Sequence, residues 1–174
     1  MKLEAVDPTE LSLSFNIDDK EKDFVFPSLM CDGQKLAVSF EGTLVTDGLT
    51  FNKFEKKDSY SLGITVNKEN LTIFNAIANS IFEKFKGWDV KSVSPDGEVM
   101  FMNLKHKNNV FSVESNVPIT PKKFAQAKLQ RDQKVKIVAN VFAFFQKDKK
   151  KCGLTIQPAK FTFSEIEKVE IPDE

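Results

Sequence analysis

The chain has 174 residues, 25 of them basic and 25 acidic, with 41% hydrophobic and 29% charged side chains. Those values fit one soluble globular domain with a core of its own, and no apolar run approaches the roughly 18 residues that a membrane helix needs. MKLEAVDPTE at the start lacks a signal-peptide core, so the expectation is an intracellular, non-secreted protein in which Cys31 and Cys152 are reduced thiols. The zero net charge hides a separation: residues 1–23 sum to −4, residues 165–174 to −4, and residues 24–164 to +8. A basic body with acidic ends suits a polyanion-binding surface and a tail able to occupy or vacate it. Solvated charged termini account for the same numbers. Arg131 is the one arginine and Phe outnumbers Trp and Tyr by 17 to one each, a bias that A/T-rich codons also produce.

In chain order, residues 1–23 form an acidic N-terminal extension with one alternating piece, Leu11 to Ile17, followed by the solvated loop Asp18 to Asp23. Phe24 to Phe54 reads as a hairpin system with turns at Asp32-Gly33 and Asp47-Gly48 and a strand over Lys35 to Val45. Gly42 marks a bulge or bend in that strand. Phe51 to Val66 gives a strand pair or one bent strand, with Phe54, Tyr60, Leu62, Ile64 and Val66 inward and Phe51, Lys53 and Lys57 on the opposite face. Lys56 and Lys57 form a second basic loop. Leu71, Phe74, Ala78, Ile81, Phe82 and Phe85 recur at helical spacing, which predicts an amphipathic helix over Asn70 to Phe85, capped by Asn70 and ended by Gly87. Trp88 reads as a partly buried anchor. Short strands follow at Val99 to Met102 and Val110 to Val113, then a short helix over Lys122 to Leu129 behind Thr120-Pro121.

Lys134 to Phe163 is the stretch around which the chain is organised. At period two, Val135, Ile137, Ala139, Val141, Ala143 and Phe145 share an apolar face. Lys134, Lys136, Val138, Asn140, Phe142 and Phe144 share the other. Lysines that follow phosphates and rings that stack on unpaired bases are what a single-stranded nucleic-acid surface requires. The strand runs into the basic tip Gln146 to Lys151, and a second strand returns from Cys152, with Pro158 at an edge or bulge. Each of these phenylalanines also suits a core position.

Catalytic chemistry is hard to assemble. His106 is the one histidine, the cysteines are far apart in sequence, and neither GxxxxGK[ST] nor GxGxxG occurs. The expectation is a protein that is not an enzyme and carries no metal or other cofactor.

The strand pair Leu49-Thr50-Phe51-Asn52-Lys53 and Tyr60-Ser61-Leu62-Gly63-Ile64, the helix from Asn70, and a terminal block of Lys134-Val135-Lys136-Ile137, basic hairpin, Gly153-Leu154 and acidic end carry a resemblance. Together they resemble the OB-fold single-stranded DNA-binding proteins of tailed phages and large DNA viruses, over roughly Pro27 to the C-terminus. The near absence of Trp, Tyr and Arg departs from that pattern. The resemblance implies a mainly β fold: an OB-like Greek-key barrel over residues 1–164 with one amphipathic helix, then an acidic C-terminal tail at 165–174. It also implies a protein that coats single-stranded DNA during phage or viral DNA replication and recombination. Such a protein works in the bacterial cytoplasm or infected cell, contacts replication proteins through its tail, and self-associates.

The expected interface comprises Lys134, Lys136, Lys147, Lys149, Lys150 and Lys151, with Lys53, Lys56 and Lys57 across the groove and Phe51, Phe142 and Phe144 stacking. Glu165, Glu167, Glu170, Asp173 and Glu174 form the partner-binding tail. Two other readings stand beside it: a β-rich interaction or virion subunit without nucleic-acid contact, and an RNA-binding barrel, since that choice depends on reading the 2′-hydroxyl.

Overall fold

The computed structural model describes residues 1–45, 50–54, 57–94, 99–105, 111–113, 117–119, 132 and 134–163. Its strands are β1 (Ser12–Leu13), β2 (Phe24–Val25), β3 (Leu29–Cys31), β4 (Gln34–Lys35), β5 (Ala37–Leu44), β6 (Thr50–Phe54) and β7 (Lys57–Thr65). After the helix α1 (Lys68–Phe82) come β8 (Asp89–Lys91), β9 (Val99–Lys105), β10 (Phe111–Val113), β11 (Val117–Ile119), β12 (Lys134–Gln146) and β13 (Lys151–Phe163). The protein is mainly β, with a single α-helix among the described residues.

The long strands run β9-β7-β5-β12-β13 across one sheet. β9 takes one edge of β7, while β5 and β6 share the other, because Thr65 pairs with both Thr43 and Val99 and Ser61 with both Thr50 and Asn103. β12 holds β13 along its whole length on one side. Its other side takes β5 first and β2 near the end, and β8 adds a short parallel edge to β13. β13 approaches β9 and β10 at the far end of this order. Among the described residues no ladder joins β13 to β9.

Alternation dictates the core. Val135, Ile137, Ala139, Val141, Ala143 and Phe145 are all buried, as the period-two reading requires, and they meet Val38, Phe40, Leu44, Ile64, Met100, Met102, Leu154 and Ile156. α1 covers this face with Leu71, Phe74, Ile77, Ile81 and Phe82. Phe74 meets Phe40 edge-on at 5.3 Å, and Phe145 is enclosed by Phe82, Phe85 and Trp88 at 4.9–5.6 Å. Burying each such ring stabilises the fold by about 1.5–3 kcal/mol. Trp88 is thus the partly buried anchor expected.

The helix begins earlier and ends sooner than expected. Asn67 is its cap, accepting from the Asn70 amide at 2.7 Å, and Asn70 itself is buried within the first turn. α1 stops at Phe82, and Gly87 closes the following turns at φ +85°. Asp32 and Gly33 both have positive φ, 51° and 78°, the geometry of a tight hairpin turn between β3 and β4. Gly42 sits where β5 passes from β12 to β7; a Cβ there would stand 2.8 Å from Ile64 Cδ1 and 3.1 Å from the Thr65 carbonyl. Close approach, rather than a bulge, requires that glycine. The bulge lies at Pro158, where the register of β12 against β13 shifts and Ala159 has no partner.

Residues 1–23 are part of this body. Leu3, Val6 and Ile17 lie in the core, the Ser39 amide donates to Met1 O, and Ser80 Oγ donates to Pro8 O at 2.6 Å. Only Ser12–Leu13 of the alternating piece Leu11 to Ile17 is strand, paired with β3. Asp47-Gly48 and the short helix expected over Lys122 to Leu129 lie outside the described residues.

Candidate nucleic-acid interface

The core fixes one side of β12 and thereby presents the other. Lys134 and Lys136 are exposed, and Val138, Asn140, Phe142, Phe144 and Gln146 are half-buried. Directly across on β13 the same face carries Lys160 opposite Val138, Gln157 opposite Asn140, Thr155 opposite Phe142, Gly153 opposite Phe144 and Lys151 opposite Gln146. On the β5 side, Glu41 pairs Lys136 and Thr43 pairs Lys134. The face therefore grades from cationic at one end of β12 to aromatic at the other.

Phe144 has a defined seat. A Cβ on Gly153 would lie 2.7 Å from Phe144 Cε1 and 3.1 Å from Cζ, so the ring rests across the bare backbone of β13. Lys91 follows on the far side of Gly153, ion-paired to Asp89 at 2.9 Å. The hydrogen bond from Lys91 holds the Asp89 carboxyl below its ordinary pKa, helped by the Lys91 and Lys151 charges.

At the hairpin tip, Lys149 and Lys150 are exposed and Lys150 adopts a left-handed φ of 48°. Lys147 is tied to the loop before β2. Its Nζ donates to the Lys20 carbonyl and its amide donates to Asp23 O at 3.0 Å, while the Asp148 amide donates to Asp23 Oδ1 at 2.8 Å. The tip is thereby braced by the loop that the sequence suggested was merely solvated. Lys151 is half-buried, beside Asp89.

In the β6–β7 ladder Phe51 pairs Tyr60, Lys53 pairs Asp58 and Lys57 pairs Phe54. Lys56 and the tail acids Glu165, Glu167, Glu170, Asp173 and Glu174 lie outside the described residues.

Sequence reasoning missed Lys160, Lys91, Phe24 and Phe26. Phe24 and Phe26 are exposed, at 50% and 57%. Their signal was present as alternation, Lys20-x-Lys22-x-Phe24-x-Phe26. Both cysteines are free, and burial pushes the Cys152 thiol up to about 11. Among the described residues no three His, Cys, Asp or Glu side chains gather around a metal position, and no helix is long and apolar enough to cross a membrane.

Solved structures similar to this chain include the single-stranded DNA-binding protein of bacteriophage Enc34 in complex with single-stranded DNA, at 11% identity and a TM-score of 0.48 over 74% of this chain and 85% of that one. A C-terminally truncated form of the Enc34 protein aligns at 10% identity and a TM-score of 0.49, over 88% of this chain and 94% of that one. The single-stranded DNA-binding protein gp2.5 encoded by bacteriophage T7 aligns at 9% identity and a TM-score of 0.48, over 81% and 97%. No protein-family model matches the chain. No curated protein matches it.

Proposed function

We propose that the protein binds single-stranded DNA without catalysing a reaction, coating strands exposed during phage or viral replication and recombination inside the cell. One observation carries this reading: Lys134, Lys136, Phe142 and Phe144 share the solvent face of a single strand whose opposite face is core. Ammonium groups at one end neutralise phosphates, and rings at the other offer π-faces to unpaired bases, a sequence-tolerant combination. Lys149, Lys150, Lys151, Lys160 and Lys91 extend the cationic surface, and Phe51, Lys53, Lys56 and Lys57 belong to its far wall if the sheet curls into a partly open Greek-key barrel. The acidic tail, 165–174, competes for the same lysines and contacts replication proteins when DNA displaces it.

Titration of labelled single strands of DNA and RNA, with a duplex competitor, tests the proposal. With about four phosphates neutralised, log K against log salt slopes near −3, from roughly −0.7 per contact. Replacing Lys134 and Lys136 with Ala reduces that slope by about 1.4. Tighter binding to duplex than to single strand at matched salt overturns the reading.

A further inference from the structure

Two large rings stand in the open: Phe24 at 50% and Phe26 at 57% exposure. Their placement follows from the edge of β12. Val25 pairs Phe145 and Phe24 pairs Gln146, and the bridge from Ser28 to Phe142 keeps the same register. Phe26 is therefore level with Phe144, and the Ala143 amide donating to Pro27 O at 2.9 Å holds the segment there. Val25 is buried against the core, which turns Phe24 and Phe26 to the face that carries Phe142 and Phe144. Phe144 leans away from Phe26, onto Gly153, and the two rings make no aromatic pair.

Beside them lies an open cleft of about 520 Å³, lined by Phe15, Lys20, Lys22, Phe24 and Phe26 among others. Lys20 stands 5.0 Å from the Phe15 ring centroid. The Lys20 and Asp23 backbones are tied to the basic tip through Lys147 and Asp148, so loop and tip form one unit.

We infer that Phe24 and Phe26 form a second stacking platform that takes the bases of a single strand leaving Phe144, with Lys20, Lys22 and the tip lysines meeting its phosphates. The inference rests on the single-strand reading above and extends the footprint past the edge of β12. The occupant is argued from continuity and charge. The rings share a face with Phe142 and Phe144, and the surrounding loop and tip hold Lys20, Lys22, Lys147, Lys149, Lys150 and Lys151 against Asp18, Asp19, Glu21, Asp23 and Asp148. Asp23 is already occupied by the Asp148 amide. Rings two residues apart on a strand are about 7 Å apart, enough to serve successive splayed bases.

The test compares oligo-dT of increasing length on the wild type, on Phe24→Ala with Phe26→Ala, and on Lys134→Ala with Lys136→Ala. The phenylalanine variant is expected to lose about 5- to 150-fold affinity per stacked base for long strands. It should lose little for the shortest strand that binds, whereas the lysine variant weakens at every length. Phe26→Trp supplies a direct readout, since its indole is quenched when dT stacks on it. Unchanged long-strand affinity with no quench overturns the inference while leaving the first platform standing. Loss of self-association in the alanine variant without loss of DNA affinity also overturns it, assigning the rings to a second copy of this chain. A wild type that binds no single strand removes both readings.

Discussion

Gly153→Ala tests whether Phe144 is a seated platform. The new methyl would lie 2.7 Å from Phe144 Cε1, 3.1 Å from Cζ and 3.1 Å from the Lys91 carbonyl. The ring can rotate away, but the carbonyl belongs to the backbone of β8 and moves only with that strand. Overpacking of this kind costs about 1–3 kcal/mol, and for a domain of this size each kcal/mol lowers Tm by roughly 2–4 °C. The substitution should therefore lower Tm by about 2–12 °C. Affinity should fall with it by up to about 1–3 kcal/mol, the worth of one base stack. A thermal melt beside an anisotropy titration reads both quantities. Phe144→Ala provides the comparison, because it removes the ring without disturbing β8. If Gly153→Ala weakens binding as Phe144→Ala does while Phe144→Ala melts near wild type, the seat matters through the ring. A Gly153→Ala protein with wild-type melting and wild-type affinity refutes the reasoning.

The remaining expectations concern the helix cap, a buried thiol and the tail. Asn67→Ala removes the acceptor of the Asn70 amide and should cost about 1 kcal/mol, read as a loss of roughly 2–4 °C in Tm with binding unchanged. Cys152 has its folded pKa raised by burial from 9.0 to about 11, so its contribution is intact below pH 9 and lost as pH rises from about 9 to 11; denaturation at pH 8 and pH 10.5 should show the difference, and Cys152→Ser should flatten it. Deleting residues 165–174 should tighten single-strand binding at low salt, with the gain fading near 0.1 M as screening shortens to about 10 Å. A truncated protein that melts early and binds no tighter ends the competition model.

What could be read from the sequence was whatever a local period dictates. β12 was legible because thirteen residues alternate without a break, and burial of one parity leaves the other parity no choice. The Asp32-Gly33 turn was legible because that turn needs two residues that tolerate positive φ. The β6–β7 register was not legible, because it is set across the turn, with Phe54 opposite Lys57. Asn67 and Asn70 offer the same cap chemistry, and only the phase of the apolar stripe, including Ile77, decides between them. The bond from Lys147 to the Lys20 carbonyl was not legible because the two residues are 127 positions apart. Phe24 and Phe26 escaped notice because the alternation Lys20-x-Lys22-x-Phe24-x-Phe26 does not reveal that the segment follows the edge of β12.

The exposure of β12's outer residues does not by itself require a ligand. Enclosing Phe145 with Phe82, Phe85 and Trp88 turns Phe144 and Gln146 outward, just as burying Val135 and Ile137 turns Lys134 and Lys136 outward. At roughly 3.4 Å per residue, Lys136 and Phe144 are about 27 Å apart along the strand, too far for one nucleotide to use both. A stacking site at Phe144 therefore needs its own cations. Lys91 meets that need across Gly153, and Lys151 in the next row, where Gln146 and Phe24 are paired. In the free protein Asp89 answers Lys91 at 2.9 Å and lies beside Lys151. A phosphate arriving there exchanges one anion for another, so its gain is smaller than at an unpaired lysine. Asp89→Asn should accordingly strengthen binding, most of all at low salt. A variant that binds no more tightly places the phosphate path elsewhere on the face.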